Sequence, residues 1–509
     1  MREGTKKQRK LFAFDPINRL NMKPEDRKRL ELLILYSITI ILTNLMRYSI
    51  IAVIVLSSQP TLLEVAYASC WKNISHIPMV YESSLPDPSN GTLEGVIEPS
   101  FAINEVAQAL VISSFFYGYL GSIFNLNFLL PNLGPRLMIT ISMVVPGLIN
   151  CYYSYAATEG FQMIMLLRIL QGLFSGGVRS SVRQIIKMTK RTHEANDTND
   201  LLGYIYSMQY LGALISFIIV AQIEDYSTFF TVTGALSVTV GGLIYLLEDN
   251  KSIENNQIIS DHSSRFWTNQ NNVGPVSRGL FKSFGFWKVM IVSVMQTSQN
   301  IILTAYIPKY LYQIYGQKMP MVPLISVFIG SLGANKAKSI SYTMARFGNW
   351  VSMGPVGLLF IIVSGIDCQA SVLALVFILL GICSGCSIIH TVNIQKLPKC
   401  GLIINYSMVT IGCCILPQAI GATISSNPFD KEVWANVWFR FGVINVIASL
   451  ICLISSKDTR NDGLSDDPPE YIELHSYSFS DFYDSEDSID HEPVNKLSTY
   501  HSKDTYGTI

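Results

Sequence analysis

Apolar residues in this chain come in blocks, each about as long as a helix that crosses a bilayer. Such a helix needs roughly 20 predominantly apolar residues. Twelve blocks fit, at 32–56, 106–129, 137–156, 161–182, 201–222, 228–247, 286–306, 320–334, 343–364, 370–391, 401–423 and 434–454. Strands of a membrane barrel are near ten residues long and alternate in polarity, so these lengths predict helices. We therefore expect an all-α polytopic membrane protein.

Composition agrees with a membrane chain and disfavours other classes. Of its 509 residues, 49% are hydrophobic and only 15% are charged, and the mean hydropathy is +0.32. Lys+Arg and Asp+Glu both number 37, so no net charge attracts a nucleic acid. A soluble enzyme, a disordered hub and a nucleic-acid binder are excluded on these grounds. The pair Cys383 and Cys386 has metal-like spacing but lies in an apolar helix without a second pair, so no metal site is expected.

Basic residues predict the orientation, because cytosolic loops of membrane proteins carry an excess of Lys and Arg. With the N-terminus in the cytosol, the loops on that side collect most of them. These are Arg136, Arg183, Lys187, Lys190, Arg191, Lys251, Arg265, Arg278, Lys282, Lys336, Lys338, Arg346, Lys396 and Lys399. The opposite loops keep Lys72, Lys309, Lys318 and Lys431. Both termini are therefore expected in the cytosol.

A polar stretch between the sixth and seventh blocks divides the spans into two sets of six. The predicted parts are a basic cytosolic N-terminus (1–30), a first half (31–248) with an extracytosolic loop (58–104), a cytosolic linker (249–285), a second half (286–455) and an acidic tail (456–509) whose composition is typical of disorder. The sequons at Asn73 and Asn90 fall in the extracytosolic loop and are predicted glycosylation sites. In the tail, Tyr471 to Leu474 fits a tyrosine-based sorting signal for an adaptor.

Six plus six spans around a cytosolic linker is similar to the plan of the major facilitator transporters. Their substrate site lies between the halves, near the middle of the bilayer. Two arginines of this chain, Arg47 and Arg168, fall in the middle of spans, where an arginine costs about 2.5–3.5 kcal/mol on insertion scales. One interpretation is that both face a water-filled cavity and bind an anion, since guanidinium grips carboxylate or phosphate with two parallel bonds. The alternative is a structural pairing.

The fourth block places a basic, small-residue stripe on one helical face. Its members are Arg168, Gly172, Ser175, Arg179 and Arg183, which are three or four residues apart. The last two arginines could extend the site, or they could anchor the helix to anionic lipid at the membrane edge. Gly172 and Gly176 form a Gly-x-x-x-Gly pair, which permits close helix contact.

Several motifs then carry a specific resemblance. Arg168-Ile-Leu-Gln-Gly-Leu resembles the fourth-helix motif of the anion/cation symporters, which include sialin, the vesicular glutamate transporters and the sodium–phosphate cotransporters. Further likenesses follow in the same order along residues 30–455: Ser113-Ser-Phe-Phe-Tyr-Gly-Tyr, Phe286-Trp287, Tyr306-Ile-Pro-Lys-Tyr-Leu, Val392-Asn393 with Pro398, and Glu432-Val-Trp. The resemblance implies anion transport driven by a proton gradient, a sodium gradient or voltage.

The resemblance also implies which residues meet the substrate. Arg47 and Arg168 match the substrate-anion arginines of that family. Ser175 stands where the family has an acid, and Gln296 stands where glutamate carriers have an arginine. With Asn393, these residues make up the predicted substrate site.

Coupling is harder to assign, because no carboxylate is convincingly placed in mid-membrane. A buried carboxylate is the ordinary proton carrier. His390 is the one titratable candidate left, and its alternative role is a hydrogen-bonded contact between helices. Sodium needs only oxygen ligands, which Asn44, Ser175 and Asn393 could supply. Sodium coupling or a voltage-driven path is therefore easier to defend than proton coupling.

The expected function is that of a secondary active transporter of a small organic anion or inorganic phosphate, working by alternating access without a cofactor beyond a coupling Na⁺ or H⁺. The expected partners are the anion, the bilayer and an adaptor at the tail, in the plasma membrane or an endolysosomal or vesicular membrane. The alternative is a scaffold or sensor that keeps the fold, has lost transport and acts through its cytosolic tail.

Overall fold

A computed structural model describes residues 24–57, 104–189, 195–223, 225–247, 284–315, 321–340, 350–366, 370–394 and 399–458. Its α-helices are α1 (Pro24–Ser57), α2 (Glu105–Glu159), α3 (Phe161–Ser175), α4 (Gly177–Thr189), α5 (Ala195–Val220), α6 (Tyr226–Leu247), α7 (Phe284–Ile301), α8 (Ile307–Tyr315), α9 (Met321–Ile340), α10 (Gly354–Gly365), α11 (Ala370–Gly385), α12 (Ser387–Asn393), α13 (Lys399–Ile424) and α14 (Lys431–Asp458). The predicted sequons at Asn73 and Asn90 and the predicted sorting signal at Tyr471 and Leu474 lie outside the described residues.

The all-α membrane fold is confirmed. Within the described ranges, nine helices are long and apolar enough to cross a membrane, and they correspond to the first six and the last three predicted blocks. The seventh to ninth blocks overlap described helices as well, but these are shorter or interrupted. The chain is thus a multi-pass membrane protein.

Two glycines with positive φ separate the early spans. Gly134 (φ 74°) lies inside α2 and breaks it into the second and third predicted spans. Gly160 (φ 109°) separates α2 from α3. A side chain at either position would meet the steric penalty that glycine avoids.

At the start of α6, the Asp225 carboxylate accepts hydrogen bonds from Thr228 and Ser227, and these bonds lower its pKa.

A pair of glycines brings the second and fourth spans into backbone contact. A Cβ at Gly172 would lie 1.9 Å from the carbonyl oxygen of Phe115, and one at Gly118 would lie 1.8 Å from that of Ile169. The close packing that the sequence suggests for Gly172 is therefore present. Gly176 lies instead at the break between α3 and α4, in ordinary helical conformation.

The second half repeats this contact between α9 and α11. A Cβ at Gly330 would lie 2.5 Å from the Ile382 carbonyl oxygen, and one at Gly385 would lie 2.4 Å from the amide nitrogen of Ser331. This equivalence places Gly381 at the position that Arg168 occupies in the first half. The charge of Arg168 therefore has no equivalent in the second half, and any site built on it is asymmetric.

We expect Gly172→Ala to prevent correct folding. Its methyl group would overlap a backbone carbonyl, which cannot move aside as a side chain can, and overpacking of this kind costs about 1–3 kcal/mol or more. The measurement is the yield of monodisperse protein in detergent and its thermal unfolding temperature. Gly242→Ala is the matched control, because nothing lies within 4 Å of a Cβ there. Equal behaviour of the two variants would contradict the packing described.

The seventh span continues beyond its predicted end. A π-helical turn, Ile302–Tyr306, joins α7 to α8, and the Ile307 amide donates to the Ile302 carbonyl across it. Pro308 lacks an amide donor and crowds the preceding turn, and a π turn accommodates this. Because the helix runs on to Tyr315, the prediction that Lys309 lies in an outside loop is wrong: Lys309 is a buried helix residue.

Hydrogen bonds join the two halves directly. The Ser113 hydroxyl in α2 donates to the Cys414 carbonyl in α13 at 2.9 Å. The Tyr210 hydroxyl in α5 donates to Oδ1 of Asn300 in α7 at 3.0 Å. Helices of the first half therefore contact helices of the second half directly inside the protein.

Candidate functional site

A small cavity lies between the two halves. Helices α1, α2 and α3 line it from the first half, and α7 with the π turn lines it from the second. Its lining consists of Arg47, Tyr48, Ile51, Ile112, Phe115, Phe116, Arg168, Ile301, Thr304 and Ala305. The two arginines are its charged residues, and the rest of the lining is apolar apart from two hydroxyl groups. Both arginines that the sequence places in mid-span thus reach one space.

Arg168 is held by one of its three nitrogens. Its Nη1 donates to Oε1 of Gln171 at 2.8 Å and to the Arg47 carbonyl at 3.1 Å. Its side chain is 1% exposed, and its guanidinium lies 5.2 Å from the ring centroid of Phe115. Nε is buried and has no hydrogen-bond partner, and Nη2 makes no hydrogen bond to a described residue by distance and angle. The hydroxyl of Tyr153, which donates to the same Gln171 oxygen, also lies close to the guanidinium. Nε and Nη2 together form the edge of a guanidinium that binds a carboxylate or phosphate with two parallel bonds.

Arg47 rests on aromatic rings. Its guanidinium carbon lies 4.8 Å from the ring centroids of both Phe115 and Phe116 and 5.4 Å from that of Tyr48. Cation–π contacts of this kind contribute about 0.5–2 kcal/mol and involve the charge of the guanidinium rather than its N–H donors. Phe115 contacts both arginines, so the two positive charges lie close together.

Neither arginine has a counter-charge among the described residues. No ion pair joins a described carboxylate to Arg47 or Arg168. A buried charge is normally paired, and a buried donor normally has an acceptor, because each unmet group costs free energy. Two such arginines around one cavity make a site whose electrostatics favour an anion.

Three other predicted site residues make hydrogen bonds elsewhere and do not line this cavity. The Ser175 hydroxyl donates to the carbonyl of Gln171 in its own helix at 2.6 Å. Nε2 of Gln296 donates to the Ser352 hydroxyl at 2.7 Å, and Nδ2 of Asn44 donates to the Ile40 carbonyl at 2.8 Å. Asn393 ends α12, and its side chain lies outside the described residues. Of the five residues predicted for the substrate site, Arg47 and Arg168 line this cavity, whereas Ser175 and Gln296 do not.

His390 contacts a neighbouring helix of its own half. Its Nε2 lies 2.8 Å from the Ser293 hydroxyl in α7, and the histidine is 6% exposed and not part of the cavity lining. This geometry favours the helix–helix contact over the coupling role.

We expect His390→Gln to leave the pH dependence of uptake unchanged, because an amide can keep the bond to Ser293 and the imidazole does not meet the cavity. The measurement is initial uptake across a series of external pH values for both forms. A pH optimum displaced in the variant alone would return His390 to the coupling step.

The fourth span carries two further basic residues, Arg179 and Arg183. Arg179 donates to Oε1 of Gln209, and its guanidinium lies 5.9 Å from the Tyr206 ring centroid. Both Arg179 and Arg183 are half-buried. Arg179 is therefore engaged with the fifth span.

A second polar cluster between the halves escaped the sequence analysis. Glu105 in α2 forms an ion pair with Lys309 in α8, which also donates to Gln108, while Nε2 of Gln313 donates to Oε1 of Glu105 at 3.0 Å. The side chains of Lys309 and Glu105 are only 5% and 11% exposed. Helical spacing could have suggested it, since Glu105 and Gln108 share one face and Lys309 and Gln313 share another. The sequence did not predict this cluster, because the predicted seventh span ends before Lys309 and Gln313.

Comparisons with known proteins agree with this architecture. The profile of the Major Facilitator Superfamily matches residues 37–399. The chain belongs to the major facilitator superfamily. A solved structure titled "Crystal structure of a POT family transporter in complex with thioalcohol conjugated peptide" has a similar fold, with a TM-score of 0.55 and 12% sequence identity, covering 84% of this chain and 96% of that one. No curated protein matches the sequence. Membership of the major facilitator superfamily makes this protein a transporter in type, and its cavity between the halves lies where a transported substrate is expected.

Proposed function

We propose that this protein carries a small anion, either an organic anion or inorganic phosphate, across its membrane by alternating access. One observation carries the proposal: Arg47 and Arg168 line a cavity between the halves with no counter-charge among the described residues. An anion bound there would satisfy the orphan Nε donor and offset the positive charge of the two arginines. The motif resemblance to the anion/cation symporters points to the same substrate class.

Movement would follow from the way the halves meet. The charged residues of the site come from the first half, while Ile301, Thr304 and Ala305 close it from the second. Rocking of one half against the other would expose the anion to each side in turn. The Glu105–Lys309 pair links α2 to α8 about two helical turns from the cavity, at the end where α2 begins. In the predicted orientation this is the extracytosolic end, so the pair would hold that end closed.

Sodium or voltage remains our preferred driving force. No carboxylate is found among the described residues that line the cavity, and His390 is engaged with Ser293. The carrier would change conformation with an anion bound and return with its positive site empty. The two steps would then move different net charges, so membrane voltage could drive transport without a dedicated proton carrier. The plasma membrane or an endolysosomal membrane, glycans at Asn73 and Asn90, and an adaptor at Tyr471 and Leu474 are part of the proposal.

The test is uptake by proteoliposomes of a labelled panel of phosphate, glutamate, sialate and urate. Sodium, pH and voltage gradients are imposed one at a time. Saturable uptake of one anion, driven by sodium or voltage, supports the proposal and names the substrate. Verified reconstitution without uptake of these or of a wider set of anions would contradict it and favour a scaffold acting through the tail.

A further inference from the structure

Gln171 holds Arg168 through hydrogen bonds that lie outside the cavity lining. It lies one residue before Gly172 in α3, is 1% exposed, and does not line the cavity. Its Oε1 accepts from Nη1 of Arg168 at 2.8 Å and from the hydroxyl of Tyr153 at 2.9 Å. Its Nε2 approaches the carbonyl of Met46 at 3.5 Å. A single amide thus connects the first, third and fourth spans behind the arginine.

These contacts fix the rotation of the guanidinium. Nη1 is occupied by Gln171 on one side and by the Arg47 carbonyl on the other. A guanidinium is planar. Because Nη1 is held by two hydrogen bonds and the group also lies over the Phe115 ring, the positions of Nε and Nη2 are determined as well. The edge that remains is the one able to make two parallel hydrogen bonds. An arginine ordered in advance loses less conformational freedom when the anion arrives.

The chemistry of an amide suits this task better than that of a carboxylate. An acceptor is needed to hold Nη1, but a negatively charged acceptor would neutralise Arg168 and compete with the substrate. The amide oxygen orients the arginine without cancelling its charge. Tyr153, 0% exposed, donates to the same oxygen and so keeps the amide in the orientation in which its oxygen faces Arg168.

We infer that Gln171, held by Tyr153, is a positioning residue that presents the Nε–Nη2 edge of Arg168 and thereby selects oxyanions that accept two parallel hydrogen bonds over single-point anions such as chloride. The inference rests on the proposed function, since it concerns how the same site recognises its substrate. Neither residue would touch the anion. Both would set its affinity through Arg168.

The experiment compares wild type with Gln171→Leu, Gln171→Glu and Tyr153→Phe in proteoliposomes of equal protein content. The substrate is the oxyanion that wild type transports, and chloride is the competitor. For Gln171→Leu we expect KM for the oxyanion to rise about tenfold, the loss of roughly one hydrogen bond, with turnover and chloride inhibition little changed. Tyr153→Phe should raise KM in the same direction by a smaller factor. Gln171→Glu should reduce uptake by about 100-fold, because its carboxylate would pair with Arg168.

Gln162→Leu is the matched control, since Gln162 lies in the same helix and is exposed. A merely structural role for Gln171 would lower folded protein and turnover and would weaken oxyanion and chloride alike. Wild-type KM values in Gln171→Leu and Tyr153→Phe would overturn the inference while leaving the proposed transport intact. Absence of uptake in wild type would instead overturn the proposed function. If both Gln171 variants fail to fold, Tyr153→Phe decides: a raised oxyanion KM with unchanged chloride inhibition supports the inference, and an unchanged KM overturns it.

Discussion

Replacement of Arg168 by glutamine is expected to abolish saturable anion uptake while leaving the protein folded. The variant loses the charge and the Nε–Nη2 edge, and each charge-assisted hydrogen bond contributes about 1.5–3 kcal/mol. The expected loss in uptake efficiency is therefore about 100-fold or more. Glutamine keeps a polar side chain at this position without burying a charge, which limits the structural damage. The uptake efficiency of Arg168→Lys should fall between those of wild type and Arg168→Gln, because lysine keeps the charge without the planar pair of donors.

The measurement is initial uptake against anion concentration, with size-exclusion profiles to establish folding. Arg440→Gln is the matched control, since Arg440 also lies within a spanning helix but is exposed and outside the cavity. A folded Arg168→Gln protein that takes up the anion with unchanged KM and rate would remove Arg168 from the substrate site.

The Glu105–Lys309 pair is expected to behave as a coupled unit. Lys309→Met leaves the buried Glu105 carboxylate without its partner, and removing one member of a buried ion pair typically costs about 3–5 kcal/mol. Replacing both by neutral residues often restores stability, because no buried charge remains unpaired. We therefore expect Lys309→Met to lower thermal stability and uptake strongly, and Glu105→Gln/Lys309→Met to recover most of the stability.

A double-mutant cycle measures this coupling. Unfolding free energies or melting temperatures are compared for wild type, Glu105→Gln, Lys309→Met and the double variant. Since the pair joins the two halves, recovery of stability in the double variant need not restore the transport rate. Additive losses in the double variant would show that the two side chains act independently and would contradict the buried pair.

The fold could be predicted from sequence because its main determinant is local. Block length and hydropathy identify spans without knowledge of their neighbours. That Arg47 and Arg168 face one cavity was one of two interpretations the sequence allowed, because arginines within spans usually face the bundle interior or a water-filled cavity. Gly172 was identifiable for a similar reason, since small residues on one helical face permit backbone contact.

Other features depend on contacts that no local pattern encodes. Hydroxyl and amide groups such as Ser175 and Gln296 can serve a substrate or a neighbouring helix, and only the packing decides which. The π turn carries the seventh span past Pro308, a residue that ordinarily signals a helix end. If the span is taken to end before Pro308, Lys309 is predicted to lie in a loop, and its ion pair with Glu105 cannot be anticipated. Gln171 belongs to the fourth-helix motif, but its role could not be predicted, because its contacts with Arg168 and Tyr153 depend on how the helices pack.

The most direct test of an anion site between the halves uses Thr304→Cys, which lines the cavity from the second half. The rate of its modification by N-ethylmaleimide is measured in proteoliposomes with and without each anion of the panel, with the native cysteines of the parent chain as background. We predict that the transported anion slows modification when Arg168 is present and has no effect in the Arg168→Gln form. Equal rates with and without every anion, or equal protection in both forms, would contradict the account.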